Sequence, residues 1–305
     1  MENLGWVSGE DLWNWRNSTR QITSACIHNP QTADEYLWEL DWLLTAVAAV
    51  DRLSLKLETY RTAAAIGVGR SLPELSALWQ RRLQEKVPVQ YLLGRVEWRN
   101  FTLTVAPGVL IPRPETELLI DLAMAAVPNP QDEPVHWADL GTGSGAIALA
   151  LATHFSSATI HAVDTSNLAL DIAKHNAQQL GLVDRVKFYH GNWLKPLAPL
   201  TGMLTGIISN PPYIPSALVP DLQPEVAQHE PHLALDGGTD GLDAFRIIVK
   251  HAPQVLKSGG VLLLEMMIGQ AEAVSTLLRE CGDYNNIQIH SDLAGIQRFA
   301  QAHRI

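Results

Sequence analysis

The chain has 305 residues, of which 47% are hydrophobic and 18% charged, a balance typical of a globular soluble protein with room for two domains. Its two cysteines, Cys26 and Cys281, are too few and too far apart for a disulfide framework or a metal cluster, which favours a reducing compartment. The formal net charge of −10 lowers the prospect of a nucleic-acid substrate, which a basic face would grip.

The chain start gives no sign of export or membrane insertion. Met1 to Trp6 lacks the basic region and following apolar stretch of a signal peptide. The apolar run over residues 43–50 is too short to span a bilayer. We therefore expect a cytoplasmic protein.

The first part of the chain has the apolar periodicity of helices. Residues 32–50 and 73–86 carry apolar side chains at three- and four-residue spacing, and Thr32 and Ser71 stand where helix N-caps are useful. No strand-like alternation interrupts residues 9–86. The pattern predicts a small helical domain over residues 1–86.

A different pattern covers residues 87–111. Val89, Tyr91 and Leu93 are apolar at every second position, as are the apolar residues of 101–105, and a polar turn lies around residues 98–100. This predicts a β-hairpin that links the two domains.

Residues 112–305 alternate between strand and helix patterns. Such alternation predicts an α/β domain: a doubly wound, mostly parallel sheet with helices on both faces. Two late strands lie close enough in sequence to pair as an antiparallel edge. The predicted strands are 135–140, 159–164, 186–190, 206–209, 261–265, 286–290 and 297–302, and the predicted helices are 146–154, 168–180 and 241–256.

A glycine-rich turn follows the first of these strands and opens a helix. Three glycines allow a tight turn and close approach of a ligand, and the helix N-terminus offers free N–H groups to an anion. A plain strand–helix connection is the alternative, but three glycines in this context favour binding. The spacing is GxGxG rather than the dinucleotide GxGxxG, and with Asp139 before it the pattern resembles motif I of class I methyltransferases, which bind S-adenosylmethionine. The candidate cofactor residues are Gly141, Thr142, Gly143, Ser144 and Gly145.

Two further strand ends carry candidate cofactor residues. Asp164 ends the second strand, where a carboxylate can accept both ribose hydroxyls, although a helix N-cap is a compatible alternative. Asn192 and Trp193 follow the third strand, where they can bond and stack on adenine. A packed core tryptophan is the alternative for Trp193.

The fourth strand ends in Asn210-Pro211-Pro212-Tyr213. Two prolines fix the backbone into a rigid turn at the edge of the sheet where such folds bind ligands. The Asn210 side-chain oxygen and the Pro211 carbonyl could accept both N–H bonds of a planar –NH2 group and orient its nitrogen toward a sulfonium methyl. Tyr213 could pack on that planar group. A proline-rich loop without function is the alternative.

Together these stretches resemble the release factor glutamine methyltransferase family over nearly the whole chain. Further similar stretches are Pro88 to Gly94, Val109 to Glu117, Ala234 to Gly238 and Asp292 to Gly295. The resemblance implies methyl transfer from S-adenosylmethionine, with S-adenosylhomocysteine as product, to the glutamine amide of a Gly-Gly-Gln motif in peptide chain release factors. We further expect a monomer that uses no metal, and we assign substrate recognition to the helical domain.

The resemblance assigns roles to matched positions. The glycine turn, Asp164, Asn192, Trp193 and Asn210 would bind the cofactor, and residues 210–213 would hold the acceptor glutamine. Arg113 and Glu117 would either shape the mouth of the site, with Arg113 contacting substrate, or form a salt-bridged domain junction. The chain departs from the family pattern at Asn192, at the hairpin tip 98–100 and at Met266-Met267.

Two other functions use the same motifs. A methyltransferase acting on adenine or guanine amino groups would share the Asn-Pro-Pro-Tyr chemistry, but the acidic charge and the absence of a Lys/Arg-rich segment disfavour it. A non-catalytic S-adenosylmethionine-binding protein would be free to lose Asn210 and both prolines, which are present.

Overall fold

The structure is a computed structural model that describes residues 5–127 and 135–305. Most of the chain start considered as a signal peptide, residues 1–4, lies outside the described residues. The chain divides into two compact units, Met1–Leu93 and Gly94–Ile305. None of the described helices is both long enough and apolar enough to cross a bilayer.

The first unit is a set of helices around a core that includes Leu12, Leu40 and Trp79. Its helicity confirms the prediction, but the expectation of no strands was wrong, because two three-residue strands pair antiparallel and are too short to show alternation. The elements are β1 Gly5–Val7, α1 Gly9–Cys26, α2 Pro30–Val47, α3 Arg52–Leu57, a 3-10 helix Thr59–Thr62, β2 Ile66–Val68, α4 Leu72–Gln84 and α5 Val89–Leu93.

The two N-cap predictions had different outcomes. Ser71 caps α4 in a capping box with Glu74, which confirms the first. Thr32 is not a cap: Asn29 accepts from the Thr32 backbone N–H at 3.2 Å, and Pro30 is the first residue of α2. Proline at the first helical position moves the helix start ahead of Thr32.

Residues 89–93 are helical, so the strand predicted there was wrong. The Tyr91 and Leu92 backbone N–H groups both donate to the Pro88 carbonyl, which starts a helical turn. Val89 and Leu92 are both buried, at the three-residue spacing of one helix face. A five-residue apolar segment fits both the two-residue period of a strand and the 3.6-residue period of a helix. The hydrogen bonds to Pro88 show that it is a helix.

The second unit contains the sheet of the α/β prediction, whose fold class is confirmed. Its elements are β3 Arg95–Trp98, β4 Phe101–Thr104, α6 Glu117–Ala126, β5 His136–Leu140, α7 Ala146–His154, β6 Thr159–Asp164, α8 Asn167–Gln179, β7 Val186–His190, β8 Leu204–Ser209, α9 Pro224–His229, α10 Asp243–Val255, β9 Leu256–Glu265, α11 Ala271–Cys281, β10 Tyr284–Ser291 and β11 Gln297–Arg304. Short 3-10 helices cover Pro114–Thr116, Lys195–Leu200, Ser216–Asp221 and His232–Ala234.

Seven strands form one sheet in the order β10-β11-β9-β8-β5-β6-β7. Strands β5 to β9 run parallel, and the antiparallel edge pair β10–β11 is confirmed, with β11 beside β9. The first strand β5 lies between β6 and β8, so the chain reverses its direction of travel across the sheet at β5. Open α/β sheets bind ligands at the carboxyl ends of the strands at such a switch point.

The hairpin lies at β3 and β4, and its tip is held by one unusual residue. Trp98 pairs with Phe101, so Arg99 and Asn100 form the turn, and Arg99 has a positive φ of 50°. Its backbone N–H donates to Glu117 Oε1 at 2.9 Å, and its guanidinium donates to the Glu117 carbonyl and to Asp121. These three bonds stabilise a conformation that costs a non-glycine residue free energy.

Gly206 leaves room for the largest buried side chain of the sheet. It pairs with Trp137 across β5 and β8, and a Cβ at Gly206 would lie 2.2 Å from the Trp137 ring. Trp137 stacks on Phe155 with ring centroids 5.3 Å apart, so its ring cannot move aside without disturbing a second buried aromatic. The glycine is therefore a packing requirement of this sheet.

We expect Gly206→Ala to destabilise the protein by about 1–3 kcal/mol, because the added methyl overpacks the Trp137 ring. Urea denaturation followed by circular dichroism measures the loss. Adding Trp137→Phe to Gly206→Ala should recover part of it, because the smaller ring removes the clashing atoms. An equal cost of Gly206→Ala in both backgrounds would contradict this account.

Candidate active site

A cavity of about 550 Å³ lies at the carboxyl ends of the parallel strands. It is called here the sheet-edge cavity. Residues that follow β5, β6, β7 and β8 line it, as the switch point leads one to expect. Of the predicted site residues it is lined by Gly141, Thr142, Gly143, Ser144, Asp164, Asn192, Trp193, Asn210 and Pro212.

The glycine turn, residues 141–145, needs glycine at three positions for two different reasons. Gly141, Gly143 and Gly145 all have positive φ, at 75°, 54° and 86°. Gly141 and Gly143 line the cavity, whereas Gly145 does not. A Cβ at Gly145 would lie 3.1 Å from the Ala173 Cβ, so Gly145 permits close packing of α7 against α8.

A buried carboxylate holds the glycine turn from behind. Asp139 Oδ2 accepts from the Thr142 hydroxyl at 2.6 Å and from the Ala148 backbone N–H at 3.0 Å, which ties the turn to the first turn of α7. Burial raises the pKa of Asp139 to about 7, although these two hydrogen bonds lower it. Asp139 does not line the cavity, so its role is to brace the turn.

Asp164 joins the glycine turn to the next helix. Its Oδ2 accepts from the Gly143 backbone N–H at 2.9 Å, and its Oδ1 accepts from the Ser166 N–H at 2.8 Å. The N-cap of α8 is Ser166, which accepts from Ala169 at 3.2 Å, so the capping role considered for Asp164 belongs to Ser166. Each Asp164 oxygen keeps a second lone pair for a ligand hydroxyl.

Trp193 has a positive φ of 50°, which is uncommon for a bulky residue. Its ring lies 3.8 Å from the position of a Cβ on Gly141. The ring packs at the edge of the hydrophobic core and also lines the cavity, so core packing leaves a face of Trp193 at the cavity, and its contact with adenine stays a prediction. Asn192 beside it is exposed.

Four side chains form a hydrogen-bonded network behind the Asn-Pro-Pro-Tyr turn. Asn210 Nδ2 donates to Thr116 Oγ1 at 3.1 Å, and that hydroxyl donates to Glu265 Oε2 at 2.7 Å. The Tyr213 hydroxyl donates to Glu265 Oε1 at 3.4 Å. Asn210, Thr116 and Pro212 line the cavity, while Pro211 is buried and Tyr213 turns its hydroxyl toward Glu265.

The one proton of the Thr116 hydroxyl fixes the orientation of the Asn210 amide. Because that proton is donated to the Glu265 carboxylate, Thr116 presents only lone pairs to Asn210. The NH2 end of the amide must then face Thr116, which leaves its oxygen, Oδ1, directed away from this chain of bonds. An acceptor oxygen is what a substrate –NH2 requires.

Burial sets the charge of this network. It raises the pKa of Glu265 to about 7, against the hydrogen bond from Thr116 and the charge of Arg298, which lower it. Burial and the nearby Glu265 also raise the pKa of Tyr213, so the phenol keeps its proton and acts as a donor. Above pH 7 the carboxylate is ionised and holds both hydroxyl protons.

Arg113 and Glu117 form separate contacts within the second unit. Arg113 Nη2 lies 2.5 Å from Glu230 Oε2, and burial raises the pKa of Glu230 while Arg113 lowers it. Glu230 precedes Pro231, which lines the cavity. Glu117 accepts from Arg99 at the hairpin tip. Neither Arg113 nor Glu117 lines the cavity itself.

The sequence patterns missed three residues that hold the site together. Thr116 was visible only within the similar stretch Val109 to Glu117, Glu265 only as the last residue of the predicted strand 261–265, and Asn176 was not singled out. Asn176 is buried and donates to the Ser144 carbonyl at 2.9 Å and to the Thr104 carbonyl at 3.0 Å, which links the glycine turn to β4. A polar residue on the inner face of the α8 pattern was the signal for it. Within the described residues no cluster of metal-binding side chains is present.

Comparison with known proteins agrees with this geometry. A family model described as "Methyltransferase small domain" matches residues 116–226. Curated release factor glutamine methyltransferases of Synechocystis sp. and Thermosynechococcus vestitus are 48% and 47% identical to the chain, over 98% and 97% of it and 98% and 99% of their own lengths. That of Gloeobacter violaceus is 44% identical over 93% of the chain and 94% of its own length.

The sheet order and the glycine turn at the switch point, together with the family model, define a class I methyltransferase. Three relatives above 40% identity along almost the entire chain narrow the class further. The chain belongs to the release factor glutamine methyltransferase family, which confirms the resemblance seen in its sequence.

Asp139 should make stability depend on pH in a direction opposite to that of a carboxylate whose pKa is lowered by folding. Because burial raises its pKa from 3.8 to about 7 in the folded state, the folded protein binds more protons than the unfolded chain between those values. Its contribution to the free energy of unfolding therefore falls as pH rises from about 4 to 7 and is constant above that.

We expect Asp139→Asn to remove this contribution, so the variant gains stability relative to the parent protein by roughly 3 kcal/mol between pH 5 and pH 8. Denaturant titrations at both pH values measure the difference. Asp184→Asn, a change at an exposed carboxylate, is the matched control and should leave the pH dependence unchanged. A parallel pH dependence of parent and Asp139→Asn would contradict the burial argument.

Proposed function

We propose that this protein transfers a methyl group from S-adenosylmethionine to the side-chain amide nitrogen of the glutamine in the Gly-Gly-Gln motif of peptide chain release factors. The observation that carries the chemistry is the fixed Asn210 amide, held by Thr116 at the sheet-edge cavity. The substrate class follows from the relatives, which are named for release factor glutamine methylation.

The residues of the sheet-edge cavity fit S-adenosylmethionine. The glycine turn gives close backbone approach beside the N-terminus of α7, which suits the carboxylate of the amino-acid part. The remaining lone pairs of Asp164 suit the ribose hydroxyls, and Asn192 and Trp193 suit adenine. The volume of about 550 Å³ is within the range of small-molecule sites. When bound, the cofactor supplies an electrophilic methyl on a sulfonium.

The acceptor side requires orientation more than proton abstraction. An amide nitrogen is a poor nucleophile because its lone pair is delocalised. Asn210 Oδ1 and the Pro211 carbonyl accept its two N–H bonds, which aims the nitrogen and stabilises the positive charge that develops on it. Pro212 keeps the turn rigid, Tyr213 packs on the planar group, and Arg113 shapes the mouth through Glu230. After transfer, the nitrogen loses one N–H proton to solvent water, so no side chain has to act as a general base.

We favour release factors over nucleic acid as the substrate. The net charge of −10 disfavours a polyanion, and the relatives are named for a protein substrate. We further propose that the protein acts as a cytoplasmic monomer, without a metal, and that its helical part, residues 1–86, recognises the substrate protein while residues 112–305 carry out transfer.

With labelled S-adenosylmethionine, we expect the protein to methylate a full-length release factor and not its Gly-Gly-Gln→Gly-Gly-Ala version. The reason is that the Asn210 oxygen selects an –NH2 group, which alanine lacks. Mass spectrometry of the tryptic peptides locates the label. Ribosomal RNA and duplex DNA are competing acceptors in the same tube, and label on either in preference to the release factor would overturn the assignment.

We expect Thr116→Val to lower kcat by about 10- to 100-fold, because Val has the shape of Thr but leaves the Asn210 amide free to turn. Thr116→Ser keeps the hydroxyl and should keep most of kcat. Asn210→Ala should have the lowest kcat of the three variants, with a loss of about 2.7–4 kcal/mol in transition-state stabilisation. Calorimetry should show that both Thr116 variants bind the cofactor as the parent does; lost binding would mean that Thr116 holds the cofactor instead of orienting Asn210.

The same network predicts an acid limb in kcat. As pH falls through about 7, Glu265 gains a proton, and the Thr116 hydroxyl is no longer held as a donor to a carboxylate. The Asn210 amide then loses its single orientation, so kcat falls. The groups that face Glu265 are Thr116, Tyr213, Arg298 and Glu115. Thr116→Val uncouples Glu265 from Asn210 and should have a low kcat without this limb, measured with cofactor saturating at each pH. A limb that survives in Thr116→Val would assign it to another group.

A further inference from the structure

A second cavity, of about 430 Å³, lies within the helical unit and is called here the helical-unit cavity. Only residues of Met1–Leu93 line it. Three helices each contribute two side chains spaced four residues apart, which places each pair on one helix face. The pairs are Arg16 and Arg20 from α1, Trp38 and Trp42 from α2, and Arg52 and Lys56 from α3.

The floor of the helical-unit cavity is a fixed ion pair. Arg16 is buried, and its Nε and Nη2 donate to the two Asp41 oxygens at 2.8 and 2.7 Å. Arg20 Nη1 lies 3.6 Å from the same carboxylate. Asp41 is therefore the acidic partner of both Arg16 and Arg20. The two parallel hydrogen bonds between Arg16 and Asp41 hold the Arg16 side chain rigid.

The wall of the cavity formed by α3 carries two positively charged side chains. Arg52 and Lys56 are exposed, and neither has a carboxylate within salt-bridge distance in the part of the chain that the structure describes. The Arg52 guanidinium lies 5.5 Å from the centroid of the Trp38 ring, which is itself 56% exposed. Glu58, the C-cap residue of α3, is the second acid at the cavity, and its Oε1 lies 4.0 Å from Arg16 Nη1.

Four cationic side chains therefore face two acidic ones around a concave site, on a chain whose net charge is −10. Complementary charge at a concave surface guides and orients a partner. The shape, the charge excess and the exposed indole together suit a short segment that carries a carboxylate next to an apolar side chain.

We propose that the helical-unit cavity is a docking site for an acidic surface segment of the release factor, whose carboxylate binds between Arg52 and Lys56 while an adjacent apolar side chain contacts Trp38. This inference rests on the proposed function. RNA is the less suitable partner, because Asp41 and Glu58 line the same cavity and a nucleic-acid site requires an extended basic strip.

The test compares two double charge reversals that change the net charge equally. Arg52→Glu with Lys56→Glu alters the cavity, and Arg70→Glu with Arg81→Glu alters cations of the same unit that do not line it. We expect the cavity variant to raise KM for full-length release factor about tenfold at low salt, with kcat at saturation and cofactor affinity unchanged. The control variant should leave KM near that of the parent.

Three further measurements separate the possible outcomes. The difference between cavity and control variants should shrink as salt is raised, because exposed charges are screened. A short Gly-Gly-Gln peptide, which cannot reach a docking site, should be methylated equally by all three proteins. Thermal melting checks that both variants are folded, and Arg52→Gln with Lys56→Gln provides a milder change of the cavity.

Equal effects of the cavity and control variants, or no effect of either on KM, would overturn the proposal. So would RNA-oligonucleotide binding that the cavity variant loses while KM for the release factor stays the same. Failure of the proposed function is distinguishable, because the parent protein would then methylate neither release factor nor peptide. In that case, calorimetric titration of the parent and cavity variant with a hexaglutamate peptide still tests whether the cavity binds carboxylates.

Discussion

The candidate site depends on where one proton lies. The Thr116 hydroxyl stands between Asn210 and Glu265, and it can donate in only one direction. While Glu265 is ionised, the proton stays on the Glu265 side, and the Asn210 amide is left with one orientation. A free asparagine could present either its oxygen or its NH2 group, and only the oxygen can hold a substrate amide.

This orientation is kept at a cost in stability. Burial raises the pKa of Glu265 from 4.5 to about 7, so an ionised Glu265 at pH 8 costs about 3 kcal/mol relative to the unfolded chain. That is a large part of the 5–15 kcal/mol that stabilises a typical domain. Asp139 behind the glycine turn is a second case, with a pKa of about 7 as well. Both buried carboxylates position elements of the sheet-edge cavity.

Sequence patterns predicted the structure correctly where a single helix or strand periodicity, or a single motif, dominates a segment. The strand 159–164 and the helix 146–154 coincide with β6 and α7, and the glycine turn and Asn210 lie at the same cavity. They failed at 89–93, where a short apolar segment fits two periods, and at α6 and α11, which carry no motif. Thr116 and Glu265 are 149 residues apart, and no local spacing can indicate that they share a hydrogen bond.

The net charge of a sequence also cannot indicate where charged side chains gather after folding. A total of −10 and the absence of a basic run describe the chain correctly, yet α1 and α3 bring four cations around one cavity. Because the pairs are spaced by four on separate helices, they become neighbours only after folding. Contacts at the sheet-edge cavity act on the orientation of the amide and hence on kcat, whereas a docking contact remote from the amide acts on KM. Affinity for the substrate protein can therefore change without altering the Asn210 network.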